Sequence, residues 1–371
     1  MRPGNRTEPA VKADAPDRKT TSSEVVKINA RQEILLALVA FVFAVGLTYA
    51  SVELPRLVNA LLHDWVSFPG GDPVRQPELL ETFVISHHLH LIGYGALALL
   101  IILVIVGLVA EKGGIATAGA IGFFLPVFGH FCRSMFFLAG LGLLRTVWMP
   151  LTGVSFDLLR LGDIVYLPYI IIVYIPALIG VDIRDPLPFL IMGIGILVFV
   201  LGVLVWLIAR AQNKGTAEFW VYRFSRHPQY LGWIIWSYGL MLYFARNNEG
   251  NLFKLAWGFP DSLPFLLSAM VIIGVALIEE IRMRREQGHE YETYSRRTPF
   301  LFPLPRFIST LVSIPLRIIL KKERPETGKE IALLLGVYTG LLILLSMPFV
   351  VFQWPPRSGW WGFPYNVFPF R

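Results

Sequence analysis

Long apolar runs divide this chain into segments whose lengths match a lipid bilayer. A helix needs about 20 mainly apolar residues to cross the hydrocarbon core. The third of these runs is long enough to tilt, kink or cross twice, and the sixth and seventh are short, so we predict seven to nine spans. The predicted spans are Ile34–Val52, Leu91–Ala110, Ile115–Leu144, Ile164–Val181, Pro188–Ala209, Leu231–Ala245, Pro264–Ile278 and Ile331–Phe352.

Composition supports the same class. Hydrophobic residues make up 55% of the chain and charged residues 16%, and the mean hydropathy is +0.59. Soluble domains carry about 25% charged residues. We therefore predict an all-α, polytopic integral membrane protein.

The chain divides by composition into four regions. Residues 1–31 carry seven Lys or Arg and four acids without an apolar period, which predicts a disordered basic tail. Residues 32–186 form an N-terminal transmembrane region whose role the sequence does not indicate. Residues 187–305 form a membrane core with the polar motifs, and residues 306–371 contain a predicted surface helix over Phe307–Leu320, the last span and an aromatic tail.

The net charge of +7 does not predict nucleic-acid binding, because the basic residues lie outside the apolar spans. Cytoplasmic loops of membrane proteins are rich in Lys and Arg. This bias places the 210–226 connection, and with it the predicted site, on the cytoplasmic side. Five spans then separate the basic tail from that connection, which would put the tail outside, so one further crossing or an exception to the bias is required. The sequence does not indicate an oligomeric state.

The segment Arg226-His227-Pro228-Gln229-Tyr230-Leu231-Gly232 precedes an apolar hairpin. Proline fits the first turn of a helix and disfavours helical geometry at the residue before it, so a helix is expected to begin near Pro228. The free N–H groups and the positive dipole end of that helix would lie beside Arg226 and His227. This arrangement predicts a site for an anionic ligand.

Two adjacent acids, Glu279 and Glu280, close the hairpin at the same predicted depth. Neighbouring helical residues point about 100° apart, so both acids cannot face one ligand atom. One acid is expected to receive ligand donors while the other pairs with a nearby arginine. Alternatively, both acids only neutralise the arginines at a membrane boundary, which are Arg282, Arg284 and Arg285.

The order of these motifs resembles the C-terminal core of integral-membrane methyltransferases. This family includes isoprenylcysteine carboxyl methyltransferase and the phospholipid N-methyltransferases. The similarity covers Gly202–Pro303 and rests on the run from Tyr222 to Gly232, the acid pair, and a final group of residues. That group is Gly288, Tyr291, Tyr294, Pro299 and Pro303.

The resemblance implies an S-adenosyl-L-methionine pocket at the cytoplasmic face and a lipid or other lipophilic acceptor that enters between helices. It implies that Arg226 helps to hold a carboxylate. An amine acceptor would need a base, for which Glu280 or His227 is the candidate, so we predict catalytic roles for Arg226 and Glu280. The resemblance also implies a set of cofactor-binding residues, namely His227, Pro228, Tyr230, Gly232, Glu279, Glu280, Tyr291 and Tyr294. The sequence departs from the family at Trp220-Val221 and at Gln287, which would reshape the pocket.

Other residues carry weaker predictions. His130 and Arg133 lie in the third apolar run and are candidate substrate contacts, because a buried guanidinium needs an anionic or carbonyl partner. Histidines 87, 88 and 90 could ligate haem or a metal ion, but we predict no metal site. Gly193, Gly195 and Gly202 either pack helices closely or admit a cofactor, with packing favoured.

Three functions are compatible with these residues. The first is methyl transfer from S-adenosylmethionine to a carboxylate or amine, between which the sequence does not choose. The second is a membrane reductase of the sterol or steroid type that uses reduced nicotinamide dinucleotide phosphate. The third is a transporter-like protein without enzymatic activity, which would be expected to show inverted repeats that we do not find.

Overall fold

The computed structural model describes residues 27–65, 85–128, 145–152, 154–215, 217–247 and 262–352. Across these ranges the structure is helical and contains no strand, which confirms the all-α prediction. The helices longer than eight residues are α1 (Ala30–Trp65), α2 (Leu89–Val109), α3 (Gly113–Phe128), α4 (Leu167–Ala177), α5 (Pro186–Ala211), α6 (Pro228–Asn247), α7 (Ser262–Gln287), α8 (His289–Arg297), α9 (Arg306–Leu320) and α10 (Gly328–Val351).

Five helices in the described part of the chain are long and apolar enough to cross a bilayer. They correspond to the predicted first, second, fifth, seventh and eighth spans, so a multi-pass membrane protein is confirmed. The apolar segments are Ala30–Leu54, Leu89–Val109, Pro186–Ala211, Ser262–Gln287 and Gly328–Val351. The total of seven to nine spans stays a prediction.

Two predicted spans differ from the observed helices. The segment Ile164–Val181 is not one long helix, because a 3₁₀ turn over Asp163–Tyr166 precedes α4. With 11 residues, α4 is about 16 Å long, which is roughly half the hydrocarbon thickness. The third predicted span begins as α3, and residues 129–144 lie outside the described ranges.

The start of α1 is defined by a reciprocal cap. The backbone N–H of Gln32 donates to Asn29 Oδ1, and the backbone N–H of Asn29 donates to Gln32 Oε1, both at 2.9 Å. Such a pair satisfies two N–H groups that a helix start leaves unpaired. The helix therefore begins at Ala30, two residues inside the predicted tail. Residues 1–26 lie outside the described ranges, and the disorder assigned to them stays a prediction.

Helix α7 is the central helix of the bundle. Within its most apolar window 78% of residues are buried, compared with 17% for α1, α2 and α10. Helices α3, α6 and α10 surround α7, and their apolar side chains form the main core with it. The outer helices expose large apolar side chains such as Leu38, Ile102 and Leu344, as expected for surfaces that face lipid.

Helices α5 and α6 form the most extensive helix pair. A Cβ atom on Gly232 would lie 2.5 Å from Phe199 N, and one on Gly195 would collide with the backbone of Trp236. Only glycine permits this separation, because any larger residue would push the two backbones apart. Of the two roles predicted for Gly195, close helix packing is therefore the one observed. Gly193 has open space around it, and Gly202 packs against Gln229.

A buried polar cluster joins four elements near the start of α7. Arg160 Nε donates to Asp163 Oδ2 at 2.9 Å, and Ser262 Oγ donates to Asp163 Oδ1 at 2.7 Å. Arg160 also donates to the carbonyl of Phe349 near the end of α10. Burial raises the pKa of Asp163 to about 6. The cluster thus connects the start of α7 with the end of α10.

Candidate functional site

The site begins with the loop before α6. The backbone N–H of His227 donates to Ser225 Oγ at 3.2 Å, and the first helical hydrogen bond runs from Leu231 N to His227 O at 3.0 Å. Helix α6 begins at Pro228, which confirms the predicted start. This local geometry fixes the His227 imidazole at the base of the helix, where the side chain is buried.

Glu280 is the buried centre of the site. Its Oε1 accepts hydrogen bonds from Tyr291 Oη at 2.7 Å and from His227 Nε2 at 3.2 Å. Its Oε2 lies 2.8 Å from Arg284 Nη2 and 3.2 Å from Arg226 Nη1. A carboxylate offers about four acceptor positions, so these four donors saturate it. The structure therefore joins the two sequence motifs around one carboxylate.

Glu279 has a different environment, although it is the adjacent residue. Its side chain is 37% exposed, compared with 3% for Glu280. Tyr230 Oη donates to Glu279 Oε1 at 2.6 Å, and His227 Nδ1 lies 3.8 Å from Glu279 Oε2. Glu279 thus retains acceptor capacity at an accessible position. Glu280 is the acid that pairs with arginine, and the two acids contact different nitrogens of the His227 ring. The ligand contact expected of the other acid stays a prediction.

A glycine turn folds α8 back over the end of α7. Gly288 has φ +54° and ψ −121°, a conformation that side chains disfavour, and it separates the two helices. The turn brings Tyr291 back to Glu280, 11 residues earlier in the chain. Burial raises the pKa of Tyr291, so its hydroxyl stays protonated and donates to the carboxylate.

The segment after α8 covers the other side of the cluster. The backbone N–H of Arg226 donates to the Pro299 carbonyl at 3.0 Å. The Phe300 ring then lies 5.7 Å from the Arg226 guanidinium carbon and 5.2 Å from the imidazole of His227. A ring at that distance from a guanidinium stabilises it by a cation–π contact. The sequence did not indicate Phe300 as a site residue, although the neighbouring Pro299 is one of the residues that carry the family resemblance.

Tyr294, another predicted site residue, lies one layer away from the carboxylates. Its hydroxyl donates to the carbonyl of Tyr222 at 2.9 Å, which ties α8 to the 3₁₀ turn before α6. Its ring lies 5.9 Å from that of Tyr291. Tyr294 therefore supports the wall of the cluster, while Gly232 lies in the contact between α5 and α6.

An outer ion-pair group continues from the buried cluster to the surface. Arg324, just before α10, donates to both oxygens of Glu292 at 2.7 Å. This hydrogen bonding lowers the pKa of Glu292. Arg284 Nε lies 4.0 Å from the same carboxylate. No sequence pattern predicted this contact, because Arg324 lies 32 residues from its partner in an unremarkable basic stretch.

Two guanidinium nitrogens in the cluster have unused donors. Arg226 Nε and Arg284 Nε are buried and find no hydrogen-bond partner within the described ranges. A buried donor without a partner costs about 1–3 kcal/mol, so these two nitrogens reduce the net stabilisation that the ion pairs of the cluster provide.

Several sequence predictions fall elsewhere. His130 and Arg133 lie outside the described ranges. Histidines 87, 88 and 90 lie at the start of α2, and no group of three His, Cys, Asp or Glu in the described ranges could hold a metal ion. The sequence departs from the methyltransferase pattern at Trp220-Val221 and at Gln287. Trp220 has φ +51°, and Gln287 Nε2 donates to the Gly215 carbonyl at 2.9 Å.

One family model matches the part of the chain that contains most of this cluster. Residues 170–298 match a family model described as a protein of unknown function, DUF1295. The DUF1295 match runs from α4 to the residue after α8 and contains both sequence motifs. No curated protein and no solved structure matches the chain.

Proposed function

We propose that this membrane protein transfers a methyl group from S-adenosyl-L-methionine to a lipophilic acceptor held in the bilayer. The observation that carries the proposal is the contact between His227 and Glu280, which are 53 residues apart in sequence. It assembles the motif before α6 and the acid pair of α7 into one cluster, with Glu279 accessible beside it. This is the arrangement that the family resemblance implies for a cofactor pocket.

The donors and acceptors of the cluster fit both ends of the cofactor's amino-acid part. Glu279 offers a partly exposed carboxylate to an ammonium or hydroxyl donor. Arg226, whose side chain is 11% exposed, offers its guanidinium charge to a carboxylate. Charge-assisted hydrogen bonds of this kind are about twice as strong as neutral ones. The polar groups therefore match a zwitterionic ligand.

S-Adenosylmethionine supplies a methyl group already activated on a positively charged sulfur, so the protein mainly orients the reactants and excludes water. A carboxylate acceptor attacks with its own lone pair and loses no proton. An amine acceptor must lose one proton, and His227 is the base that we assign to it, because its Nε2 donates to Glu280 and leaves Nδ1 to accept the proton. Glu280 acts as a positioning residue in this scheme, because all its acceptor positions are occupied.

The basic residues on this side of the bundle support a cytoplasmic site. Arg285 contacts Glu111 in the turn between α2 and α3, which places that turn and the end of α7 on one side. Lys112 and Arg284 lie on the same side of the bundle. Cytoplasmic faces are enriched in such residues, so we assign the cofactor pocket to the cytoplasm.

A nicotinamide-dependent reductase is the principal alternative. The DUF1295 family is related to steroid 5α-reductase-like and methyltransferase-like membrane proteins, which is compatible with either cofactor. Both cofactors contain adenosine, so binding of that part alone does not separate the alternatives. The amino-acid part of S-adenosylmethionine separates them, because it carries an ammonium and a carboxylate that need Glu279 and Arg226 as charged partners.

Calorimetric titration of the detergent-purified protein tests the proposal. We expect S-adenosylhomocysteine to bind in the micromolar range, about −8 kcal/mol, and reduced nicotinamide dinucleotide phosphate not to bind. Glu279→Gln should weaken binding at least about tenfold, which is about 1.4 kcal/mol. Glu286→Gln is the matched control, because Glu286 lies on the same helix and its side chain is 63% exposed. Binding of the nicotinamide alone would replace the methyltransferase proposal with the reductase.

A further inference from the structure

Helix α9 carries an apolar face that no other part of the described chain covers. On a helical projection Phe307, Leu311, Ile314 and Ile318 follow an i, i+4, i+7, i+11 pattern, which places them in one narrow stripe. Their exposed fractions are 73%, 64%, 43% and 69%. Four large apolar side chains in one stripe are costly in water and require an apolar environment.

The polar residues of α9 lie along one side of the stripe, whereas Leu316 lies opposite the stripe and is half-buried. Ser309, Ser313 and Arg317 form this polar side, and Lys321 follows at the helix end in a left-handed conformation. Five basic residues and a single acid, Glu323, occupy residues 306–324. Lys322 pairs with Glu326 and Glu330, and Arg324 pairs with Glu292. Arg317 and Lys321 make no such pair with any residue of the described ranges.

The contact with α10 determines the depth of α9. Tyr338 Oη donates to the Val312 carbonyl in the middle of α9. Tyr338 lies ten residues after Gly328, which is about 15 Å along α10, and side chains on a helix tilt back toward its N-terminus. The charged residues Lys329 and Glu330 lie in the first turn of α10 and mark the polar boundary. The contact therefore lies several ångströms below that boundary.

We propose that α9 is an interfacial helix that binds the anionic surface of the membrane leaflet next to the site. The stripe of Phe307, Leu311, Ile314 and Ile318 inserts among the upper acyl chains, and Arg317 and Lys321 contact lipid phosphates. Amphipathic helices of this type insert about 5–10 Å into the headgroup and acyl boundary, which agrees with the contact depth. Basic residues near the surface add electrostatic attraction to anionic lipid.

The position of α9 along the chain makes this interaction relevant to the site. Pro299 and Phe300, which cover Arg226 and His227, lie only a few residues before Arg306. Anchoring α9 in the leaflet would hold that covering segment from its C-terminal end. The inference does not rest on the identity of the cofactor, because it follows from α9 and α10 alone.

Site-directed fluorescence in lipid nanodiscs tests the depth of α9. The single native cysteine is replaced by Cys132→Ser, and an environment-sensitive dye is attached to Leu311→Cys or, as the matched control, to Ser313→Cys. We expect the dye at 311 to be quenched by spin labels near the headgroup end of the acyl chain and shielded from aqueous iodide. The dye at 313 should show the reverse. Equal iodide quenching at both positions would overturn the insertion.

Lipid composition tests the charge component. We expect quenching at 311 to increase when phosphatidylglycerol replaces part of the phosphatidylcholine, and the increase to disappear in the double variant Arg317→Glu/Lys321→Glu. An unchanged response in that variant would overturn the assignment of these two residues to lipid phosphates. If the dye at 311 is shielded in detergent and crosslinks to a second copy, the stripe is a protein interface and the proposal fails.

Discussion

Glu279 and Glu280 are adjacent in α7, yet the first faces an accessible space and the second is enclosed by four hydrogen-bond donors. Tyr230 contacts one oxygen of Glu279, whereas Glu280 has two partners on each oxygen. The difference follows from the helical offset between neighbouring residues. It predicts that Glu280 contributes more to stability than Glu279 does.

Replacing Glu280 should destabilise the protein more than replacing Glu279. Glu280→Gln removes the charge that compensates Arg226 and Arg284, and breaking a buried ion pair from one side costs about 3–5 kcal/mol. Glu279→Gln should change the unfolding free energy by less than about 1 kcal/mol, because its side chain is partly exposed. Thermal unfolding in detergent measures both, and similar melting temperatures for the two variants would contradict the assignment.

Tyr291→Phe should lower stability because it removes a hydrogen bond to a buried carboxylate. Hydrogen bonds to charged groups contribute about 1.5–3 kcal/mol. Tyr294→Phe is the matched control in the same helix, since its hydroxyl donates to a neutral backbone carbonyl instead. We expect a loss of about 1 kcal/mol there. Thermal unfolding of the two variants side by side measures the difference, and a larger loss for Tyr294→Phe would be inconsistent with Glu280 as the centre.

Gly195→Ala should prevent correct packing of α5 against α6, because the new methyl group would overlap the Trp236 backbone. We expect aggregation or loss of a monodisperse peak in size-exclusion chromatography. Gly193→Ala, two residues earlier on the same helix, places its methyl group in open space and should behave like the wild type. A monodisperse, thermally unchanged Gly195→Ala protein would show that the two helices can separate.

Asp163 should make stability depend on pH. Its pKa is raised from 3.8 to about 6 by burial, so the folded state binds a proton more readily than the unfolded state. This stabilising contribution is complete below pH 3.8 and is lost as the pH rises through about 6. The melting temperature of the wild type relative to Asp163→Asn should therefore rise when the pH is lowered from about 7.5 to about 5. A difference that does not vary across this range would argue against a raised pKa.

Local features of the fold were predictable, but long-range contacts were not. The rule for proline at a helix start located α6, and apolar length located the five long helices. Apolar length alone overestimated the helix around Ile164–Val181, because hydropathy does not detect a 3₁₀ turn. The predicted span Pro264–Ile278 covers only the apolar part of α7, since Glu279–Gln287 are good helix formers that continue the helix until Gly288.

In the candidate site, too, local geometry was predictable and long-range contacts were not. The sequence indicated that Glu279 and Glu280 face different partners, because this follows from helical geometry. It did not indicate which acid is buried, since that depends on how α7 is rotated against α6 and α8. The contact between Glu292 and Arg324 depends on the path of the chain between α8 and α10, for which no local signal exists.

The close approach of α5 and α6 also restricts how a long hydrocarbon chain reaches the site. Backbones that meet at glycine leave no gap for an acyl or prenyl chain along that contact. The α5–α6 pair therefore acts as a sealed wall of the bundle, and under the proposed function an acceptor carried by the bilayer would approach Glu279 from a different side.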